Sequence, residues 1–121
     1  VDDSIVRGTT SKKILSLVRE FGAKELHLRI ASPPIIAPCY LGTDFPTRDE
    51  LIASTKSASQ VEKEIDATSL AHISLDGLIK AIGIPRQDLC LGCLTGKYPL
   101  AIPGEKEDER GIEMVDSYSC P

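Results

Sequence analysis

Two groups of residues in this sequence have the types and spacing for chemistry. The first is Val1-Asp2-Asp3-Ser4-Ile5-Val6-Arg7-Gly8-Thr9-Thr10. An adjacent carboxylate pair at the carboxyl end of a parallel strand lies where open α/β sheets bind ligands. An extended chain would send Asp2 and Asp3 to opposite faces. One carboxylate then reaches a ribose hydroxyl or a hydrated Mg²⁺, while the other reaches a neighbour; Mg²⁺ favours one or two carboxylates plus ligand oxygens. In the loop that follows, Gly8 lets the backbone approach a ligand, and Thr9 and Thr10 offer hydroxyls. Free amides at the start of the next helix make an anion site. Lys12 and Lys13 stand in that first turn, where a bare helix prefers acids and each cation costs about 0.3–1 kcal/mol unless an anion offsets it. Neither G-x-x-x-x-G-K-S/T nor G-x-G-x-x-G is present, which excludes the standard triphosphate and dinucleotide fingerprints. On residue types alone, a capped helix after an acidic turn, with solvated lysines, accounts for the stretch equally well.

The second group is Cys90-Leu91-Gly92-Cys93. This spacing places two thiolates within reach of a zinc ion, an iron–sulfur centre or each other. A thioredoxin-like pair would open a helix, but Thr95-Gly96-Lys97-Tyr98-Pro99 reads as turn and loop, so no helix is expected there. Cys39 lies in a proline-bounded apolar stretch and, taken alone, reads as a small core residue. Cys120 is an unassigned thiol.

The elements that position these groups follow from periodicity. Val1 to Thr10 reads as a strand stub and loop. Ser11 to Phe21 reads as an amphipathic helix with Ile14, Leu15, Leu17, Val18 and Phe21 on one broad face. Thr9, Thr10 or Ser11 would cap it and Gly22 would close it. Glu25 to Ile30 alternates as a strand does. Strand, helix and strand with short joins predict a βαβ unit and a parallel sheet, hence an α/β fold. Ser32-Pro33-Pro34 then stops regular structure, and the chain from Ile35 to Leu41 reads as buried and irregular. A short helix is expected over Thr47 to Ala53, with Thr47 as N-cap and Glu50 completing a capping box. Further elements are a helix over Ser59 to Ile65, a strand over Ser69 to Ile73, and a helix over Ser74 to Ile82 ended by Gly83 and Pro85. His27 and Arg29 share the polar face of a strand and read as solvated or ion-paired. His72 reads as a satisfied, semi-buried histidine.

Composition sets the outer limits. The 121 residues suffice for one modest domain. Lys and Arg number 14 against 18 Asp and Glu, a net charge of −4 that leaves no basic footprint for nucleic acid. A hydrophobic content of 41% is that of a folded domain rather than a disordered chain. No apolar run approaches the ~20 residues of a membrane span. The four cysteines are too few to argue for a secreted disulfide scaffold, so an intracellular setting is expected. The chain begins with Val1 and its one methionine is Met114. A piece of a longer polypeptide is the expectation, although a processed N-terminus would look the same.

The stretch from Val1 to Thr10 resembles the phosphoribosyl pyrophosphate (PRPP) motif of type I phosphoribosyltransferases. That resemblance implies that Asp2 and Asp3 contact the ribose hydroxyls and the Mg²⁺ environment. It also implies that Ser4, Ile5, Val6, Arg7, Gly8, Thr9 and Thr10 cradle the 5′-phosphate. Two further stretches, Ile30 to Tyr40 and Cys90 to Pro99, together with Gly42 to Ile52, resemble the glutamine PRPP amidotransferases in the same order. In the iron–sulfur branch of that family four cysteines hold a 4Fe–4S cluster. Cys39, Cys90 and Cys93 fall on three of those positions, and the fourth ligand is expected from upstream sequence. The cluster's implied role is structural, and Tyr98-Pro99 should pack beside it.

The resemblance thus implies a partial type I phosphoribosyltransferase fold over residues 1–103, with an irregular cluster-binding region at 39–99; residues 104–121, almost all charge from Gly104 to Arg110, read as a charged tail. The implied activity is transfer of glutamine-derived ammonia to PRPP. The glutaminase nucleophile is not in this chain, which is expected to be inactive alone. The full-length protein would be a homo-oligomer, commonly a tetramer, in the cytoplasm, or in the plastid if the source is a plant. A PRPP-binding regulatory module and a small Cys-x-x-Cys metal or redox protein remain as alternatives.

Overall fold

The computed structural model describes residues 1–43 and 47–104. Asp44-Phe45-Pro46, most of the expected charged tail and Cys120 lie outside the described residues.

The alternating stretch forms the central strand β1 (His27–Ile30), with Ile30 buried and His27 and Arg29 exposed. It starts two residues later than its alternation suggests, because the Leu26 amide donates to Thr68 Oγ1 at 2.9 Å rather than to a strand. Strand β2 (Ser69–His72) pairs with β1 in parallel, His27 opposite Ser69 and Ile30 opposite His72. On the other edge of β1, Asp2 forms a single parallel bridge to Ile30. Its amide donates to the Arg29 carbonyl at 3.0 Å, and its carbonyl accepts from Ala31 at 2.9 Å. The expected N-terminal strand is therefore one residue long. The parallel α/β arrangement is as expected, with the Asp2 bridge, β1 and β2 side by side.

Helix α1 (Thr9–Glu20) connects the bridge to β1. Its apolar face departs from expectation: Ser11 and Leu15 are buried, but Ile14, Leu17, Val18 and Phe21 are exposed, Phe21 by 85%. Two strands and a bridge are too narrow to cover a whole helix face. The principal core gathers Ile5, Leu15, Ile30, Ile36, Ile52, Val61 and Ile65. A smaller cluster of Ile35, Leu51 and Leu94 lies under the cysteine-bearing segments. Residues 33–38 are buried, so that part of the irregular stretch belongs to the core, but the burial expected as far as Leu41 stops there: Cys39 is half-buried, and Tyr40 and Leu41 are exposed.

The single helix expected over Thr47 to Ala53 is instead a 3₁₀ turn (Arg48–Glu50) followed by α2 (Ile52–Thr55). Leu51 between them is extended and fully buried. Its burial, and the Ile52 amide turning to the Val6 carbonyl at 3.0 Å, break the helix. The Thr47 capping box does not form: Thr47 makes no side-chain cap, and its hydroxyl instead faces Glu50 Oε1 at 3.4 Å.

Helix α3 (Ala58–Glu64) starts at Ser57, whose amide donates to Gln60 Oε1 at 2.8 Å. Helix α4 (Leu75–Ile82) is capped by Ser74, whose hydroxyl accepts from the Gly77 amide, and is closed by Gly83 in the left-handed region. His72 is buried rather than semi-buried, at 3% exposure, with Nδ1 donating to the Ser32 carbonyl at 2.9 Å. Burial holds its pKa below the ordinary histidine value, against the opposing effect of that bond. A one-turn helix, α5 (Gly92–Thr95), contains Cys93, where only a turn and loop were expected to follow the cysteine pair. The Thr95 hydroxyl donates to the Leu91 carbonyl at 2.9 Å, and Gly96 at φ 72 ends the turn. Among the described residues, no helix is long and apolar enough to cross a membrane.

Candidate functional site

The loop from Asp2 to Ser11, with Ile14, lines one cavity of about 290 Å³. All the residues expected to bind the phosphoribosyl group border it. Extended geometry ends at Asp2, whose Oδ1 accepts from the Asp3 amide at 3.0 Å. The strand alternation expected to separate the two carboxylates therefore does not govern them. Asp3 is exposed and Asp2 half-buried. Ile5, at 3% exposure, anchors the loop in the core.

Gly8 is the N-cap of α1, at φ 75 and ψ −10. A Cβ there would lie 2.8 Å from Ile52 Cδ1 and 3.4 Å from Ile65 Cγ2. A left-handed backbone and close packing on the core side therefore both require glycine here. None of Thr9, Thr10 and Ser11 caps the helix; all three are in its first turn. The first helical bond runs from the Lys12 amide to the Gly8 carbonyl at 2.9 Å. The amides of Thr9, Thr10 and Ser11 have no partner among the described residues and lie at the positive end of α1. No acid occupies that turn. Unpartnered amides at a helix start can donate hydrogen bonds to the oxygens of an anion.

The thiols meet elsewhere. Cys39, Cys90 and Cys93 line a cavity of about 240 Å³ together with Tyr40, Leu41, Gly42, Thr43 and Tyr98. The two cysteine-bearing segments are joined by main chain: the amides of Ile36 and Ala37 both donate to the Cys93 carbonyl, at 3.0 and 3.1 Å. Tyr98 joins them by its side chain. Its hydroxyl donates to the Pro38 carbonyl at 2.6 Å, and its ring meets Tyr40 edge-on at 5.1 Å between centroids. Gly92 gives that ring room, since a Cβ there would lie 2.4 Å from Tyr98 Cδ1.

The thiols differ electrostatically. Amides of Leu41 and Thr43 donate to Cys39 and hold its pKa below the usual thiol value; the Thr43 amide is 3.4 Å from Sγ. Burial, and then the neighbouring Cys39 and Cys90, push Cys93 up to about 11. The Cys93 thiol therefore stays protonated unless a cation compensates its thiolate, and three thiols on one cavity are soft donors of the type that metal clusters take. Among the described residues, no three His, Cys, Asp or Glu side chains form a set for a single metal ion.

Two residues that bear on the first cavity have no role there in the sequence reading. Glu50 was expected to cap a helix, but accepts from Arg7 Nε at 2.8 Å. Ile52 packs under Gly8. Separations of more than 40 positions leave no local signal for either. Cys120 lies outside the described residues.

No family model matches this chain. A protein of Methanocaldococcus jannaschii named amidophosphoribosyltransferase is 58% identical over 106 residues, which are 88% of this chain and 22% of that protein. A Bacillus subtilis protein of the same name is 51% identical over 106 residues, 84% of this chain and 22% of its own length. An Arabidopsis thaliana protein named amidophosphoribosyltransferase 2, chloroplastic, is 50% identical over 116 residues, 96% and 20% of the two chains.

Among solved structures, the glutamine PRPP amidotransferase of B. subtilis complexed with ADP and GMP superposes with a TM-score of 0.76 at 45% identity. That match covers 86% of this chain and 24% of the other. A structure described as the allosteric regulatory enzyme of purine biosynthesis gives 0.78 at 44% identity, covering 91% and 25%. The chain spans about a fifth to a quarter of the length of these proteins. Over most of its own length, the chain is homologous to one segment of the amidophosphoribosyltransferases.

Proposed function

We propose that this chain supplies the PRPP-binding loop and three cluster ligands of an enzyme that transfers glutamine-derived ammonia to PRPP. Ammonia attacks the anomeric carbon, the bond to pyrophosphate breaks, and 5-phosphoribosylamine forms, the first committed step of purine synthesis. The observation that carries this reading is the Asp2–Ser11 cavity, where an acidic pair leads into three unpartnered amides at a helix start. Those amides and the hydroxyls of Thr9 and Thr10 hold the 5′-phosphate, and Lys12 and Lys13 offset its charge. Asp2 and Asp3 take the ribose hydroxyls and a hydrated Mg²⁺, which when bound neutralises charge on the departing pyrophosphate. The chain's own part is binding and orientation.

Cys39, Cys90 and Cys93 would hold a 4Fe–4S cluster with a fourth thiolate from elsewhere. Its contribution is a cross-link between the segments around Cys39 and Cys93. Support comes from the three thiols that line one cavity. The working protein is a homo-oligomer of the cytoplasm or, in a plant, of the plastid; the chloroplastic name of the Arabidopsis relative supports the second setting.

The test uses the natural polypeptide that carries this sequence. PRPP- and glutamine-dependent formation of phosphoribosylamine is expected, and Asp2→Asn with Asp3→Asn should abolish it while glutamine hydrolysis persists. Absence of PRPP turnover in the unaltered protein, or full turnover in the double variant, would refute the proposal.

A further inference from the structure

Arg7 sits in the middle of the phosphate loop, where a guanidinium would ordinarily be read as a ligand of the phosphate. The geometry points elsewhere. We propose that Arg7 is a brace rather than a phosphate ligand, and that Glu50 is the positioning residue that sets the loop's shape through it. This inference rests on the PRPP-binding reading above and divides the labour within that site.

Arg7 Nε and Nη2 both reach Glu50 Oε2, at 2.8 and 2.7 Å, across 43 positions of sequence. The preceding residue is held by main chain, as the Val6 carbonyl accepts from the Ile52 amide at 3.0 Å. The following residue, Gly8, packs against Ile52 so closely that a Cβ would come within 2.8 Å of its Cδ1. Three consecutive loop residues are thus tied to the short segment from Glu50 to Ile52. That segment is itself anchored, because Leu51 is fully buried.

The consequence falls on the anion site. Gly8 is the last residue before the unpartnered amides of Thr9, Thr10 and Ser11, so whatever fixes Gly8 aims them. The Arg7 charge is already compensated by Glu50, whereas no acid in the first turn answers Lys12 and Lys13. The ligand's phosphate is therefore met by amides, hydroxyls and the two lysines, and Arg7 serves it by holding the loop in place.

The experiment compares Arg7→Gln, Glu50→Gln and the double variant in the natural polypeptide that carries this sequence. The readouts are KM for PRPP, kcat and the thermal midpoint. An exposed pair acting only through the loop should give a rise in KM of about threefold in each single variant, with kcat unchanged. The double variant should be no worse than either single one, since both remove one interaction.

A phosphate ligand behaves differently. Losing its charge-assisted bond would raise KM by a factor on the order of 10–100 in Arg7→Gln, with Glu50→Gln near the unaltered protein. That pattern, or additive effects of the two changes, would overturn the brace. So would a lowered midpoint with an unchanged KM, which would mean that the pair serves stability alone. If the unaltered protein does not turn over PRPP at all, the functional reading falls and the brace falls with it.

Discussion

Replacement of Gly92 by alanine isolates the packing that joins the cysteine-bearing segments. Gly92 is the first residue of α5 and has no left-handed backbone, so alanine meets no conformational penalty there. Helix propensity alone would favour alanine by up to about 1 kcal/mol. The opposing effect is steric. The new Cβ would lie 2.4, 2.7 and 3.2 Å from Cδ1, Cε1 and Cγ of Tyr98. Carbon atoms rest at about 3.5–4.0 Å, so the ring must retreat by roughly 1 Å. It is not free to do so, being bonded to the Pro38 carbonyl at 2.6 Å and packed on Tyr40. Overpacking costs about 1–3 kcal/mol, and loss of the hydroxyl bond adds about 1 kcal/mol. The net expectation is a destabilisation of about 1–3 kcal/mol, read from urea unfolding of the 121-residue chain. Gly92→Ala combined with Tyr98→Leu removes the clash, so the two changes should be less than additive by about 1 kcal/mol or more. An unchanged midpoint in Gly92→Ala, or strict additivity, would refute the clamp.

Gly8→Ala should be the costlier glycine substitution, at about 2–4 kcal/mol, since a left-handed φ and the contact with Ile52 both oppose it. Ile52→Val should not rescue it, and a midpoint restored by that second change would show that backbone strain is unimportant. Cys93→Ser in the natural polypeptide should abolish bound iron, measured per chain after purification; full iron content would remove Cys93 from the ligand set. His72 governs an acid-side effect. Its folded pKa is depressed, so below the unfolded value of about 6.5 the unfolded chain takes up a proton that the folded chain refuses. Stability should therefore be intact above that value and fall as the pH drops from about 7 toward 5. His72→Gln should flatten this slope in thermal melts, and parallel profiles for the two proteins would exclude the histidine.

Local chemistry was legible in the sequence wherever neighbours along the chain decide it. The alternation of Leu26, Leu28 and Ile30 marked β1, Gly83 marked the end of α4, and prolines marked the irregular stretch. The acidic pair with its loop and the Cys-x-x-Cys spacing stood out because each is a contiguous run. The errors share one cause. Glu50 satisfies a helix-capping pattern, but Arg7 lies beside it in space and takes its carboxylate. Thr9, Thr10 and Ser11 are all good caps by type, yet Gly8 occupies the cap because Ile52 and Ile65 leave no room for a Cβ. The apolar face of α1 was read correctly as apolar, but how much of it is covered depends on the width of the sheet.

The sequence by itself determined which stretches carry acidic, anion-facing and thiol chemistry, and that parallel strands and helices would carry them, because side-chain chemistry and short-range periodicity are local properties. Only the tertiary structure decided that Cys39 shares a cavity with Cys90 and Cys93, that Tyr98 spans their segments, and that the phosphate loop hangs from Glu50 and Ile52. Those contacts join residues some 40–60 positions apart and depend on how the chain closes its loops.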